Sequence, residues 1–165
     1  MNRYLIVQPG ASYATDDIFR GLYKAFKAQN RHELWYYALD QRIENAGAWL
    51  NFLAKKYPDL YGRPGPGDIQ YLACQGVLER ALRHDVDWVI IISAMYFHPD
   101  WIIMMRRAGL KLCLVLTESP YDDEKQIKIV PFCDVVFTNE RTSVPFFRQV
   151  NDNVYYLPHA YDPEV

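Results

Sequence analysis

Short apolar runs alternate along the chain with longer stretches of helical periodicity. Tyr4-Leu5-Ile6-Val7 is a compact apolar run that stops at Pro9-Gly10, the pattern of a buried strand entering a loop. Asp16-Asp17 opens a helical pattern in which Ile18, Leu22, Ala25 and Phe26 recur on one face, with two aspartates suited to the positive end of the helix dipole. Glu33 to Leu39, rich in Trp and Tyr, reads as a second strand. Ile43 to Tyr57 reads as a helix turning Ala48, Leu50, Phe52 and Leu53 inward. Tyr61-Gly62-Arg63-Pro64-Gly65-Pro66-Gly67 is the strongest loop signal, because proline fixes φ and glycine adopts backbone angles that other residues avoid. Asp68 to His84 returns to helix, with Ile69, Leu72, Ala73, Val77, Leu78, Ala81 and Leu82 as its stripe. Trp88-Val89-Ile90-Ile91-Ile92 is continuous and apolar, as expected of a central parallel strand buried on both faces.

The second half repeats the unit. A loop from Ser93 to His98 precedes a helix from Pro99 to Arg107, a turn at Gly109 and a strand from Lys111 to Leu116. A helix from Tyr121 to about Pro131, a strand from Asp134 to Phe137, a helix from Glu140 to Val150 and a strand from Val154 to Leu157 complete the pattern. Strands alternating with helices of this length predict an α/β fold: a doubly wound, mostly parallel Rossmann-like sheet with helices on both faces. Ligands of such sheets sit beyond the carboxyl ends of the strands, so the loops that follow strands are where chemistry is expected.

Composition narrows the function classes. The 165 residues are half apolar and 15% aromatic, enough for one domain with a real core. With 18 Lys+Arg against 20 Asp+Glu, the chain lacks the basic excess of a general nucleic-acid binder. Lys55-Lys56 and Arg106-Arg107 are local basic pairs that fit solvated helix faces, although either can also meet a specific acceptor. Three widely spaced cysteines, Cys74, Cys113 and Cys133, read as reduced core residues of a cytoplasmic protein. No apolar stretch approaches the ~18 residues needed to span a bilayer.

The loops carry candidate chemistry beside simpler structural roles. Neither G-x-G-x-x-G after a strand nor G-x-x-x-x-G-K-[ST] is present, which argues against a dinucleotide dehydrogenase and a P-loop enzyme. In the loop Gln8-Pro9-Gly10-Ala11-Ser12, Gly10 and Ser12 can accept an anion or a sugar hydroxyl, or form a tight turn with a cap. Asp85-Val86-Asp87 precedes its strand and so lies at the wrong end for a ligand; it reads as a solvated turn. The four histidines lack the spacing of a metal site, and no metal is implied. Ser93, Tyr96 and His98 follow the central strand, where all three can face a ligand, while His98 before Pro99 also fits a helix cap. In Thr117-Glu118-Ser119-Pro120-Tyr121-Asp122, Ser119 as N-cap, Pro120 as first helical residue and Asp122 as third approximate a capping box. That account leaves Glu118 and Tyr121 facing the crevice, where a desolvated Glu118 carboxylate suits general base work or pairing with ligand hydroxyls. Thr138-Asn139-Glu140 repeats the arrangement one strand later, with Asn139 fitting an N-cap and Glu140 the helix dipole.

Taken together, "LTESPY" (Leu116 to Tyr121), "CDVVFTNE" (Cys133 to Glu140) and "VYYLPHAYDPEV" (Val154 to Val165) resemble the N-terminal domain of GT-B glycosyltransferases, most closely their CgeB-like (spore maturation protein) branch. The resemblance covers roughly Asp87 to Val165. It implies two Rossmann-like domains facing a cleft, the N-terminal one holding the acceptor side and the C-terminal one binding most of a nucleotide-sugar donor. The chain stops at Val165, where the family's interdomain connection begins, so the donor domain is expected in trans or missing and the 165 residues alone are expected to be inactive. Glu118, by its place at the end of a buried strand, and His98, which falls where many related transferases keep a histidine near the transferred sugar, are the catalytic candidates. Gly10, Ser12, Ser93, Tyr96, Ser119, Tyr121, Thr138, Asn139, Glu140, His159 and Asp162 line the cleft. The nucleotide sugar is a co-substrate, no other cofactor is implied, and the acceptor is unknown. A non-catalytic ligand- or protein-binding module with the same fold is the alternative. A flavodoxin-like or response-regulator-like domain fits less well, because Gln8 to Ser12 is not a hydroxyl-rich phosphate cradle.

Overall fold

The computed structural model describes residues 2–10 and 12–159, and for residues 12–14 the backbone alone. Six strands form one sheet in the order β2-β1-β3-β4-β5-β6, every neighbouring pair parallel. The strands are β1 Arg3–Val7, β2 Glu33–Tyr37, β3 Trp88–Ile92, β4 Lys111–Leu116, β5 Val135–Thr138 and β6 Val154–Tyr156. Between them run helices α1 Ser12–Ala28, α2 Leu39–Lys56, α3 Pro66–Arg83, α4 Pro99–Arg107, α5 Asp123–Gln126 and α6 Ser143–Phe147. This is the predicted α/β, doubly wound, Rossmann-like architecture.

Alternation along the strands splits the core into two layers. Leu5, Val7, Val89, Ile91, Leu112, Leu114, Leu116 and Val136 face α2, α3, α4 and α6, meeting Ala46, Ala73, Val77, Ile102, Met105 and Phe147. Ile6, Ile90, Ile92 and Val115 face the other way, against Phe19, Ile18 and Leu22 of α1. Central strands buried on both faces are why β3 and β4 read as unbroken apolar runs. Each fully buried Leu or Ile contributes about 1.5–3 kcal/mol. The three cysteines are free thiols, and burial pushes each up to about 12, which keeps them inert. No described helix is long and apolar enough to cross a membrane.

β3, α4 and β4 fall where the pattern puts them, whereas other boundaries shift for local reasons. α1 already runs from Ser12, so Asp16 lies in its second turn, where it accepts from Gln8 Nε2 (3.0 Å) and pairs with Arg20 (2.5 Å) instead of meeting the dipole. α2 begins at Leu39, and its buried residues are Leu39 and Ala46; Ala48 and Phe52 are exposed. Leu82 of α3 likewise faces solvent. The largest departures follow β4 and β5. The Ser119–Pro120 peptide is cis and Tyr121 N donates to Glu118 O (2.9 Å), closing a four-residue turn. Ser119 is therefore not an N-cap, Pro120 not a first helical residue, and Asp122 itself precedes the short α5. The stretch expected to be one helix to Pro131 is α5 followed by a 3₁₀ turn over Val130–Phe132. α6 starts at Ser143 after Thr142, so Asn139 is not its cap and Glu140 lies outside its first turn. Asn151 ends that region by donating its side-chain amide to Val130 O (3.0 Å) and Cys133 O (2.7 Å).

Candidate functional site

The strand order reverses between β1 and β3, because β2 lies beyond β1 on one side and β4 beyond β3 on the other. A crevice at the carboxyl ends of these strands is where open α/β sheets take ligands. Gly10, after β1, lies directly against the loop after β3: a Cβ at this position would sit 2.3 Å from Tyr96 Cβ and 2.8 Å from Ile43 Cδ1. Close approach of two loops thus explains the glycine, and Tyr96 forms the wall facing it. The side chain of Ser12 and all of Asp162 lie outside the described residues.

One step along the sheet, Ser93 directly follows β3 with φ of 58°, in the left-handed region that a residue with a Cβ rarely adopts, and it is 3% exposed. That backbone aims Ser93 Oγ at Glu118, to which it donates a hydrogen bond. Glu118 Oε1 also accepts from Thr117 Oγ1 (2.6 Å), and Oε2 accepts from Thr117 N (3.3 Å) and Gln126 Nε2 (3.1 Å). All four donors are uncharged. Glu118 makes no ion pair among the described residues, and its side chain stays partly exposed at the strand end.

In the adjoining segments, polar atoms are buried with no hydrogen-bond partner among the described residues: Ser119 Oγ, Asp123 Oδ1, Gln126 Oε1 and Asn139 Oδ1. Asn139 donates its amide to Ser119 O (3.3 Å), which ties the β5 loop to the β4 loop. Thr138, fully buried, accepts from Glu140 N (3.3 Å). The structure therefore brings Ser93, Thr117 and Gln126 onto Glu118 and ties Asn139 to the next residue, Ser119, through its carbonyl; Thr117 and Gln126 are members that the sequence pattern did not single out. Gln126 carried no signal, because it sits in the charged stretch Asp122 to Lys128 of a segment read as one long helix, where a polar residue fits a solvated face. Only the turn at Pro120 brings it back over Glu118.

The other candidates stand apart from this network. His98 caps α4, its Nδ1 accepting from Asp100 N (3.3 Å), its backbone N donating to Cys74 Sγ (3.3 Å) and its ring meeting Tyr71 edge-on at 5.1 Å. Its contacts thus go to α3 and α4. Tyr121, expected to face the crevice, is 93% exposed and points to solvent. Glu140 accepts from Thr142 N and Thr142 Oγ1 (3.0 Å each), and these bonds, the backbone one foremost, hold its carboxyl below the usual range. His159 is exposed beyond β6. Among the described residues, no three His, Cys, Asp or Glu side chains come together to hold a metal ion.

Two depressions lie away from the crevice. A groove of about 510 Å³ between α2 and α3 is lined by Arg42, Trp49, Arg80 and Arg83 among others. A second, of about 380 Å³, lies at the amino edge beside Asp85 and Asp87. In the first, Arg80 is committed to Tyr36 O (3.0 Å) and Arg83 to Glu79. Neither is lined by the unpartnered buried groups that lie beside Glu118, so the crevice is the stronger site on chemistry.

The fold is that of a Rossmann-like α/β domain with an unsatisfied polar crevice at its carboxyl edge. Among solved structures, the S. aureus MnaA–UDP co-structure is similar to it, with a TM-score of 0.65 and 10% identity over 94% of this chain and 44% of that one. At that identity the likeness concerns the fold, and the chain spans less than half the length of that neighbour. No family model and no curated protein sequence matches the chain.

Proposed function

We propose that this domain is the acceptor-side half of a GT-B glycosyltransferase of the CgeB-like kind, working with a nucleotide-sugar donor held mainly by a second domain. Three things support the reading: the strand-end motifs Glu118-Ser119-Pro120-Tyr121 and Thr138-Asn139-Glu140, the doubly wound sheet, and a structural neighbour solved with UDP. The observation that carries it is Glu118, held at the carboxyl edge by Ser93, Thr117 and Gln126 with no cationic partner among the described residues. In this mechanism an acceptor hydroxyl takes the place of the Ser93 or Thr117 hydroxyl on the carboxylate. Its oxygen bonds to the anomeric carbon as the bond to the nucleoside diphosphate breaks, and its proton passes to Glu118. Donor phosphate charge is stabilised by the other domain.

A non-catalytic binding module is favoured by one observation: both Glu118 oxygens already accept two hydrogen bonds each. Turnover decides between the two readings. With the second domain supplied in cis or in trans, Glu118→Gln should lower sugar transfer about 10²-fold or more, as expected for loss of a general base. Wild-type protein that binds nucleotide sugar but never transfers or hydrolyses it sinks the enzyme reading.

A further inference from the structure

The direction of each hydrogen bond around Glu118 is fixed, and together they decide what the crevice offers to a ligand. A carboxylate only accepts, so the Ser93 and Thr117 hydroxyls must turn their protons toward it and keep lone pairs for the crevice. Gln126 must present Nε2 to Glu118 and Asn139 must present Nδ2 to the Ser119 carbonyl, so each amide keeps its oxygen, Oε1 or Oδ1, and one further N–H. Gln126 Oε1 and Asn139 Oδ1 are buried without a partner, and Gln126 is only 4% exposed as a residue. A buried acceptor left unmade costs about 1–3 kcal/mol, so these oxygens favour whatever brings a donor between the Ser119–Gln126 and Asn139 loops. Ser119 Oγ, also unpartnered, can follow either role. Charge points the same way: among the described residues Glu118 makes no ion pair, Asp122 pairs with Lys125 (2.8 Å), and Asp123 Oδ1 has no hydrogen-bond partner.

We propose that Ser93, Thr117 and Gln126, oriented by Glu118, and Asn139, oriented by the Ser119 carbonyl, form an acceptor-rich lining that selects a hydroxyl- or ammonium-bearing sugar face and, with the Glu118 charge beside it, rejects phosphate. The inference rests on the sugar-handling reading of the same crevice and adds its polarity. Glu118 acts here as a positioning residue for two hydroxyl protons, and the donor's phosphates are kept away from this part of the edge.

The test follows the side-chain amide resonances of Gln126 and Asn139 in the isotope-labelled 165-residue chain during titration with glucose, glucosamine, pyrophosphate or magnesium chloride. Glucose and glucosamine should both move the two amides, glucosamine at the lower concentration because of the unpaired carboxylate, and pyrophosphate should leave them in place. Movement with pyrophosphate, movement with magnesium alone, or none with either sugar overturns the proposal. In Glu118→Gln the new amide donates, which forces at least one hydroxyl proton outward. Sugar binding should weaken about tenfold, equivalent to roughly 1.4 kcal/mol, and pyrophosphate should begin to bind. Loss of sugar binding without that gain is what a purely structural role gives, and counts against the proposal. Should Glu118→Gln not fold, Thr117→Val removes one acceptor and should weaken sugar binding while pyrophosphate stays excluded; unchanged sugar binding overturns the proposal. Because turnover is not read, failure of glycosyl transfer in the two-domain protein and failure of this selectivity are separate results.

Discussion

The two edges of the sheet both carry acidic residues in tight turns, and they treat the charge in opposite ways. At the amino edge, Arg3 pairs with Asp85 (2.6 Å) and its backbone N donates to Asp87 (2.7 Å), while Arg106 pairs with Asp134 (2.6 Å), which also accepts from Leu112 N (2.8 Å). Those carboxylates pin the starts of β1, β4 and β5 and are neutralised by arginines on the spot. At the carboxyl edge Glu118 is surrounded by hydroxyls and amides only, beside polar atoms that lack partners. An edge closed on itself has nothing left to offer a ligand, whereas a carboxylate held among the described residues by neutral hydroxyls and amides alone does. Asp85-Val86-Asp87 and Glu118 look equally acidic in sequence; their partners separate a structural turn from a candidate site.

The sharpest way to break this comparison is to neutralise one acid at each edge. If the proposed transferase assembles with a second domain, the Glu118→Gln loss of about 10²-fold should stand against unchanged turnover for Asp134→Asn, whose cost should appear in thermal stability instead. Equal losses of turnover would mean that the edges do not divide structure from function. Next in size is Gly10→Ala. Its Cβ collides with Tyr96 Cβ and Ile43 Cδ1, so denaturant unfolding should show a loss of about 1–3 kcal/mol, and wild-type stability would remove the close packing at the reversal point. At the amino edge Gly109 has open space around it but a φ of 85°, so Gly109→Ala should cost only about 1 kcal/mol, through backbone strain alone. Smallest is Arg3→Ala, which removes a partly exposed ion pair and should cost about 1 kcal/mol or less, shrinking further in high salt. A salt-independent loss would show that the arginine acts through packing.

Much of the fold was legible because its signals are local. The run Trp88 to Ile92 is apolar at every position, as a strand covered on both faces must be, and Pro99 and Gly109 bracket α4 by their backbone geometry. Legibility failed where a long-range bond outweighed the local pattern. The Ser119-Pro120-Tyr121-Asp122 stretch has every feature of a helix start, yet Tyr121 N bonds back to Glu118 O and Asn139 bonds Ser119 O from the next loop, so the chain turns instead. Asn139 was plausible as a cap for the same local reason, and it is spent on that cross-loop bond. Tyr121 shows the limit of arguing by elimination: left unexplained by the cap, it points into solvent.

By itself, the sequence determined the alternation of strands and helices, the parallel sheet, and the strand-end position of Glu118, because hydrophobic period and turn residues act over a few neighbours. Only the tertiary structure decided that Ser93, Thr117 and Gln126 converge on that carboxylate, that His98 and Glu140 serve their own loops, and that the amino-edge acids are neutralised. Those outcomes depend on groups brought together from different loops, some far apart in the chain, and a hydrogen bond's direction is set by the partner it meets, which no local pattern encodes.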